Sequence, residues 1–462
     1  MRQVKRVKIS IVFLVVIILL RSVCAYGLPE DNSASGESEI FTVEAQDVQW
    51  PVLSQEPAGK SAILMEPDTG AVVYSKNPDE KLYPASITKI MTGLLAVENL
   101  NLSDTITITG EMLDSIPTDA ARQGLMPGEI ITVKDGIYSL MLRSNADMAV
   151  ALAYAVAGSE EAFGKMMTER ARSIGASNTN FVNATGLHDD NHYTTARDMA
   201  LITREAISNP TFAAIWGTDE YNMASTNINE GYTIWNRHDM LVSSRANYYP
   251  YAIGGKTGYT DEAGRTLVTC ASKDGMKLVS VIMFSTNEVV FNDTRELLNY
   301  GFNSFKKLTI NGNEQRFGQR PGTGFSIVSD LYGKKSTLFT IGSGSVVIPK
   351  EADLSRMGYR LDMSIEDTGK GEMARLTYLN GADSLGEATI YISSVISDDK
   401  TAISSLEKKA AETKKTDLNT VFSINIYYIA GGVAAVLVII IVIRIIIKVT
   451  KRRRIGRKYY TK

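Results

Sequence analysis

The chain has 462 residues, 44% of them hydrophobic and 22% charged, which is enough to bury a core and predicts two or three globular domains rather than disorder. Two cysteines and three histidines exclude a disulfide scaffold and a Cys/His metal cluster, and a formal charge of −2 argues against nucleic acid as a partner. That small sum hides an asymmetry: residues 1–25 carry five Lys/Arg and residues 444–462 nine, with no acid in either, leaving 35 basic against 51 acidic residues between them. Basic ends on an acidic middle point to a membrane.

The N-terminus joins a basic start to an apolar run, Ile9–Leu20, and then to Ser22-Val23-Cys24-Ala25. This reads as a signal peptide, residues 1–25, cut after Ala25, the alternative being an uncleaved anchor. Cleavage leaves Cys270 as the sole cysteine, a buried structural thiol. Residues 26–55 are polar and acidic and read as a linker. Ala62-Ile63-Leu64-Met65 and Ala71-Val72-Val73-Tyr74 flank Asp68-Thr69-Gly70, the pattern of a β-hairpin. Helical periodicity follows over Ile87–Leu100, Lys134–Leu142, Ala146–Val156 and Glu160–Ile174. Strand patterns return at Gly264–Ser272 and Lys277–Phe284, then an amphipathic helix at Asn292–Phe302. Strands, a helical block, strands and a helix give an α+β domain over residues 56–306, its sheet built from both ends of the segment.

Short apolar runs separated by Gly, Asp or Asn follow: Phe325–Val328, Thr337–Ile341, Ser345–Ile348, Tyr359–Met363, Ala374–Leu379 and Ala388–Ile392. They predict a small all-β domain, residues 307–395, without a titratable constellation and so with a spacer or docking role. Residues 396–423 read as a stalk. Ile424–Ile443 is long enough for a transmembrane helix. The basic tail, residues 444–462, places itself in the cytoplasm and the rest of the chain outside.

Three short motifs could carry chemistry. In Pro84-Ala85-Ser86-Ile87-Thr88-Lys89, a helix start puts Ser86 and Lys89 on one face. A partly desolvated lysine can serve there as the base that a serine nucleophile needs. The bland alternative is a capping serine and a solvated lysine. Gly254-Gly255-Lys256-Thr257-Gly258 offers a lysine and a hydroxyl for a carboxylate, with glycines that let a substrate lie close to an edge strand; a turn without function is its alternative. Ser144-Asn145-Ala146-Asp147 joins two helical runs and reads equally as a cap.

S-x-x-K, an S-x-N-like element and K-T-G in this order form the signature of penicillin-recognising serine enzymes. With Leu82–Thr92, Gly186-Leu187-His188-Asp189, His192–Asp198 and Gly255–Thr260, the chain resembles the low-molecular-weight penicillin-binding proteins that are serine-type D-alanyl-D-alanine carboxypeptidases, over about Ala58–Phe305. The resemblance implies a penicillin-binding/β-lactamase-like fold, no cofactor and no metal. Its substrate would be a peptidoglycan stem peptide ending in D-Ala-D-Ala, and β-lactams would be covalent inhibitors. It implies Ser86 as the acylated nucleophile, Lys89 as its base and Ser144 as a proton relay. Lys256, Thr257 and Gly258 would bind substrate, with Arg237 near its carboxylate and the backbone N–H groups of Ser86 and Tyr259 as the oxyanion hole. Where the family carries Asn two positions after the second-motif serine, this chain has Ala146. Either Asn145 fills that role or the contact is missing. Many relatives also carry a basic residue where this chain has Val290. A class A β-lactamase is disfavoured, because Asp is absent from the middle of the second motif and Phe181–Leu187 holds no Glu. A DD-endopeptidase and a non-catalytic β-lactam or wall sensor remain as alternatives.

Overall fold

The computed structural model describes residues 40–46, 48–118, 120–314, 339–363 and 372–392. The expected signal peptide, stalk, membrane span and basic tail lie outside them, as does most of a second compact unit made of Ser326–Thr340 and Ile392–Lys462. Among the described residues no helix is long and apolar enough to cross a membrane.

The strands in chain order are β1 (Ile40–Val43), β2 (Ser61–Met65), β3 (Val72–Lys76), β4 (Thr105–Thr107), β5 (Ile130–Thr132), β6 (Glu220–Asn222), β7 (Thr233–Trp235), β8 (Ala252–Thr260), β9 (Gly264–Lys273), β10 (Met276–Ser285), β11 (Phe305–Thr309), β12 (Phe339–Ile341), β13 (Ser345–Pro349), β14 (Gly358–Asp362), β15 (Glu372–Asn380) and β16 (Asp383–Ile392). The central sheet is antiparallel with order β3-β2-β10-β9-β8. The hairpin expected around Asp68-Thr69-Gly70 is there, and β2 also pairs with β10, Ile63 opposite Val281. Strand side chains alternate between faces. Ile63 and Met65 therefore enter one core with Val279 and Val281, while Ala62 and Leu64 enter a second with Leu278 and Ile282. A sheet buried on both faces needs apolar residues at successive positions, and every residue of β2 is buried.

The first core is closed by helices α1 (Lys89–Asn99), α2 (Gly110–Asp114), α3 (Val133–Arg143), α4 (Ala146–Ala157), α5 (Glu160–Ile174), α6 (Ala196–Ser208) and α7 (Pro210–Trp216). Helix α4 is apolar nearly all round and lies inside this block, its residues Ala146–Ala153 all buried. Hydroxyls set the starts of its neighbours: Thr132 caps α3 by accepting from Asp135 N–H at 3.0 Å, and Thr195 caps α6 by accepting from Asp198 N–H at 3.0 Å. The second core is closed by α8 (Val290–Ser304), through Leu297, Leu298 and Phe302.

Residues after 305 build an antiparallel sheet in which six strands run β1-β14-β15-β16-β13-β11. Its first strand comes from Ile40–Val43, inside the segment read as a linker from its overall polarity: the short apolar run Ile40-Phe41-Thr42-Val43 within it pairs with Tyr359–Asp362. A one-turn helix, α9 (Ile310–Asn313), follows β11.

Candidate active site

Ser86 lies in a single 3-10 turn, Ala85–Thr88, that leads into α1. The residue before it, Ala85, has φ +50°, a left-handed conformation that costs a non-glycine residue of order 1 kcal/mol or more. Neighbours hold that elbow. Thr266 Oγ1 on β9 donates to Pro84 O at 2.8 Å. Gly186, itself at φ +77°, lies so close that a Cβ there would meet Ala85 O at 1.9 Å. On the other side β8 passes the elbow at Gly258, where a Cβ would sit 2.8 Å from Ser86 N and 2.3 Å from Thr266 Oγ1. Glycine in K-T-G is thus the condition for the strand edge to reach the serine.

One turn on, Lys89 points back to Ser86. Its Nζ donates to Ser86 Oγ at 3.0 Å and to Thr185 O at 2.5 Å, and the residue is only 2% exposed. Burial lowers its ammonium to about pKa 7, against the opposing pull of the Asp147 carboxylate. The carbonyl of Thr185 belongs to the 183–187 loop, which the sequence motifs did not single out as a partner of the lysine. Two further bonds fix that loop to the same helical turn. Thr92 Oγ1 donates to Ala184 O at 2.7 Å, and Thr88 Oγ1 lies 2.9 Å from His192 Nε2. His192 Nδ1 accepts from Val182 N–H at 3.0 Å, so Nε2 carries the ring hydrogen and donates to Thr88. Burial, which pushes this imidazole down to about 4, keeps it neutral in that role.

Ser144 ends α3 in the left-handed conformation, φ +65°, and its buried Oγ has no hydrogen-bond partner among the described residues. It lines the same cleft as Ser86 and Lys89, together with Ala146 and Arg237. Asn145 does not. Its Nδ2 donates inward to Gln123 Oε1 at 2.6 Å and to Ser139 Oγ at 2.9 Å. The suggestion that Asn145 fills the missing amide role at the substrate is corrected by this placement: its amide is consumed in the interior, and Ala146 faces the cleft. Asp147, unassigned from the sequence beyond its place in a helix turn, holds the covering loop by accepting from Gln123, Gly124 and Leu125 N–H at 2.8–3.2 Å.

Strand β8 is the edge of the central sheet and forms the other wall, with Thr257, Gly258 and Tyr259 lining the cleft. Alternate residues of an edge strand present N–H and C=O groups outward, so Thr257 and Tyr259 share one edge. Lys256 is buried, its Nζ donating to Thr257 O at 3.0 Å. Burial, then the positive charges of Lys89 and Arg237, pull it well below the usual lysine range. Arg237 is lowered too, by burial and by Arg143 and Arg245. Basic groups gathered with little neutralising charge make this end of the cleft hungry for an anion. The cleft holds about 850 Å³.

A serine beside a neutralised lysine, facing a second unpartnered serine in a cleft edged by an open strand, has the equipment of a serine acyl-transfer enzyme. Comparison with known proteins narrows this class. Residues 46–287 match the family described as D-alanyl-D-alanine carboxypeptidase. The chain is 35% identical to D-alanyl-D-alanine carboxypeptidase DacF of Bacillus subtilis over 54% of its own length, a stretch that spans 63% of that relative. It is 33% identical to DacC of Escherichia coli over 67% of its length and 76% of DacC. Its structure resembles the Streptomyces K15 DD-transpeptidase with a TM-score of 0.51 and 31% identity, covering 55% of this chain and 100% of that one. The chain belongs to the D-alanyl-D-alanine carboxypeptidase family, and its α+β domain has that family's fold.

Proposed function

We propose that the chain is a serine-type D-Ala-D-Ala carboxypeptidase acting on peptidoglycan stem peptides. The observation that carries this reading is the pair Ser86 and Lys89, 3.0 Å apart, with the lysine brought to about pKa 7 by burial. Ser86 Oγ attacks the carbonyl between the two D-alanines while Lys89 Nζ takes its proton. The N–H groups of Ser86 and Tyr259 hold the oxyanion, a role worth about 3 kcal/mol per donor. The C–N bond then breaks, and the leaving amine takes the proton from Lys89 through Ser144 Oγ. Water next attacks the Ser86 ester, a second proton passes to Lys89, and the serine is restored. Lys256, Thr257 and Arg237 receive the terminal carboxylate. Its arrival raises the suppressed Lys256 ammonium back towards full charge, so binding and protonation support each other. A β-lactam presents the same carbonyl and carboxylate and acylates Ser86, without releasing a leaving group that could diffuse away.

The same reading places the chain at a cytoplasmic membrane with its catalytic domain outside, supported by the apolar run Ile424–Ile443 and the Lys/Arg-rich residues after it. The test uses the full chain in detergent with a muropeptide ending in D-Ala-D-Ala, followed by mass spectrometry. The wild type removes one alanine and S86A removes none. Absence of loss from the wild type, with β-lactam labelling of Ser86 intact, refutes the carboxypeptidase reading.

A further inference from the structure

Residues 236–249 bring two side chains to the carboxylate end of the cleft. Arg237 and Asp239 line it, while His238 between them is buried against β9. The His238 Nε2 lies 3.0 Å from Thr269 Oγ1 and 3.2 Å from Val268 O. Bonds on either side hold the segment: Arg237 N–H donates to Leu142 O at 2.9 Å, and Tyr249 N–H to Met240 O at 3.0 Å. A buried anchor thus turns its two chain neighbours towards the substrate.

Asp239 is out of place there, because a carboxylate repels the anion that this end of the cleft receives. Both of its oxygens are engaged. Oδ1 accepts from Arg245 Nη1 at 2.5 Å and Oδ2 from Asn247 Nδ2 at 3.3 Å. Among the described residues Arg245 makes no other ion pair. Its positive charge is felt at Arg237, which it helps to lower after burial and Arg143. The one cation of α8, Arg295, is spent elsewhere: its Nη2 donates to Asn247 O at 3.0 Å.

We propose that Arg245 sets the preference of this enzyme for a free terminal carboxylate. It cancels the charge of Asp239 in the cleft wall, so that Arg237 and Lys256 face the incoming anion unopposed. The proposal rests on the carboxypeptidase reading above and adds a specificity-determining residue that acts on the substrate through charge rather than contact. Removing Arg245 leaves one net negative charge in the wall, and removing the charge of Asp239 as well restores the balance. The pair is partly exposed, 38% for Arg245 and 28% for Asp239, so water screens it and each charge is worth about fivefold to tenfold in affinity for an anion.

The experiment measures kcat and KM of the full chain in detergent for an acylated peptide ending in D-Ala-D-Ala and for its C-terminal carboxamide. Released D-alanine or D-alaninamide is followed by mass spectrometry. The readout is the acid-to-amide ratio of kcat/KM, which is independent of how much of a variant is folded. The wild type favours the acid. R245Q lowers the ratio by about fivefold to tenfold, through KM for the acid. D239N, which keeps an acceptor oxygen for Arg245, raises it by a similar factor. The double variant D239N/R245Q returns to about the wild-type ratio. A pair that merely holds the segment gives another pattern: both single variants lose activity on the two substrates alike, and the double variant recovers nothing. That pattern, a wild type indifferent to the carboxylate, or an R245Q ratio within about twofold of the wild type overturns the proposal while leaving the carboxypeptidase reading intact. Release from neither substrate by the wild type removes that reading, and the proposal with it.

Discussion

The sharpest prediction concerns the proton on Lys89. At a pKa of about 7, half of the lysine is neutral at pH 7, whereas at the ordinary 10.5 only about one molecule in 3000 would be. Burial therefore supplies a gain of about 10³ in available base, within the range that general-base catalysis spans. Acylation by a fluorescent penicillin, followed by stopped flow between pH 5.5 and 9, is expected to rise about tenfold per pH unit below 7 and to level off above 8. In K89R the guanidinium stays protonated throughout. The rate is expected to fall by about 10³ and to lose its inflection. Stability carries the opposite side of the same shift. The folded-state pKa lies below the unfolded one, so between pH 7 and 10.5 the unfolded chain binds more protons at this position. Stability from this group rises with pH across that window, and below pH 7 the full penalty of about 5 kcal/mol applies. An inflection above pH 9, or K89R acylating at more than a tenth of the wild-type rate, would refute the reasoning.

Three further substitutions separate the roles of neighbouring residues. G258A puts a methyl group 2.8 Å from Ser86 N; acylation is expected to fall more than tenfold and thermal unfolding to report a loss of about 1–3 kcal/mol. S144A removes a buried hydroxyl that has no partner among the described residues, so calorimetry should show unchanged or slightly raised stability while kcat drops sharply. N145A takes away the donor to Ser139 Oγ and one of the two donors to Gln123 Oε1, which keeps the bond from Ser139; denaturant titration should show a loss of about 1–3 kcal/mol, with KM for a D-Ala-D-Ala peptide changed less than twofold. A large rise in KM instead would return Asn145 to the substrate.

The elements that were legible are those whose burial is periodic. The helix at Glu160–Ile174 begins with a serine cap, ends at Gly175 and repeats its apolar residues every three or four positions, and its limits agree with the periodicity. Strand β8 was harder to see, because Gly254-Gly255 and Gly258 lower strand propensity at the place where the chain must run closest to its neighbours. Helix α6 is absent from the sequence-based elements although Ala196, Met199, Ala200, Thr203 and Ala206 form a buried stripe with Arg197 and Arg204 off it, and Thr195 and Asp198 have the spacing of a cap; small and polar residues make that stripe a weak hydrophobic signal. In the site, Ser86 and Lys89 were legible from one turn of local geometry. The direction of the Asn145 amide was not, since it depends on Gln123, 22 positions earlier in the chain and brought near only by the tertiary fold. The carbonyl of Thr185 escaped for the same reason, as backbone groups leave no trace in residue type.

The bond from Thr266 to Pro84 spans 182 positions, and it ties the elbow that holds Ser86 to a strand made late in synthesis. Contacts of such sequence separation form slowly, because the intervening chain must be ordered first. Until β9 arrives, nothing from that side offsets the strain at Ala85, and a solvated Lys89 keeps its proton at neutral pH. A growing chain therefore carries Ser86 and Lys89 without a reactive serine until the 182 positions between Pro84 and Thr266 have been made. Reactivity comes with closure of the sheet, so the onset of penicillin labelling during refolding doubles as a clock for that event.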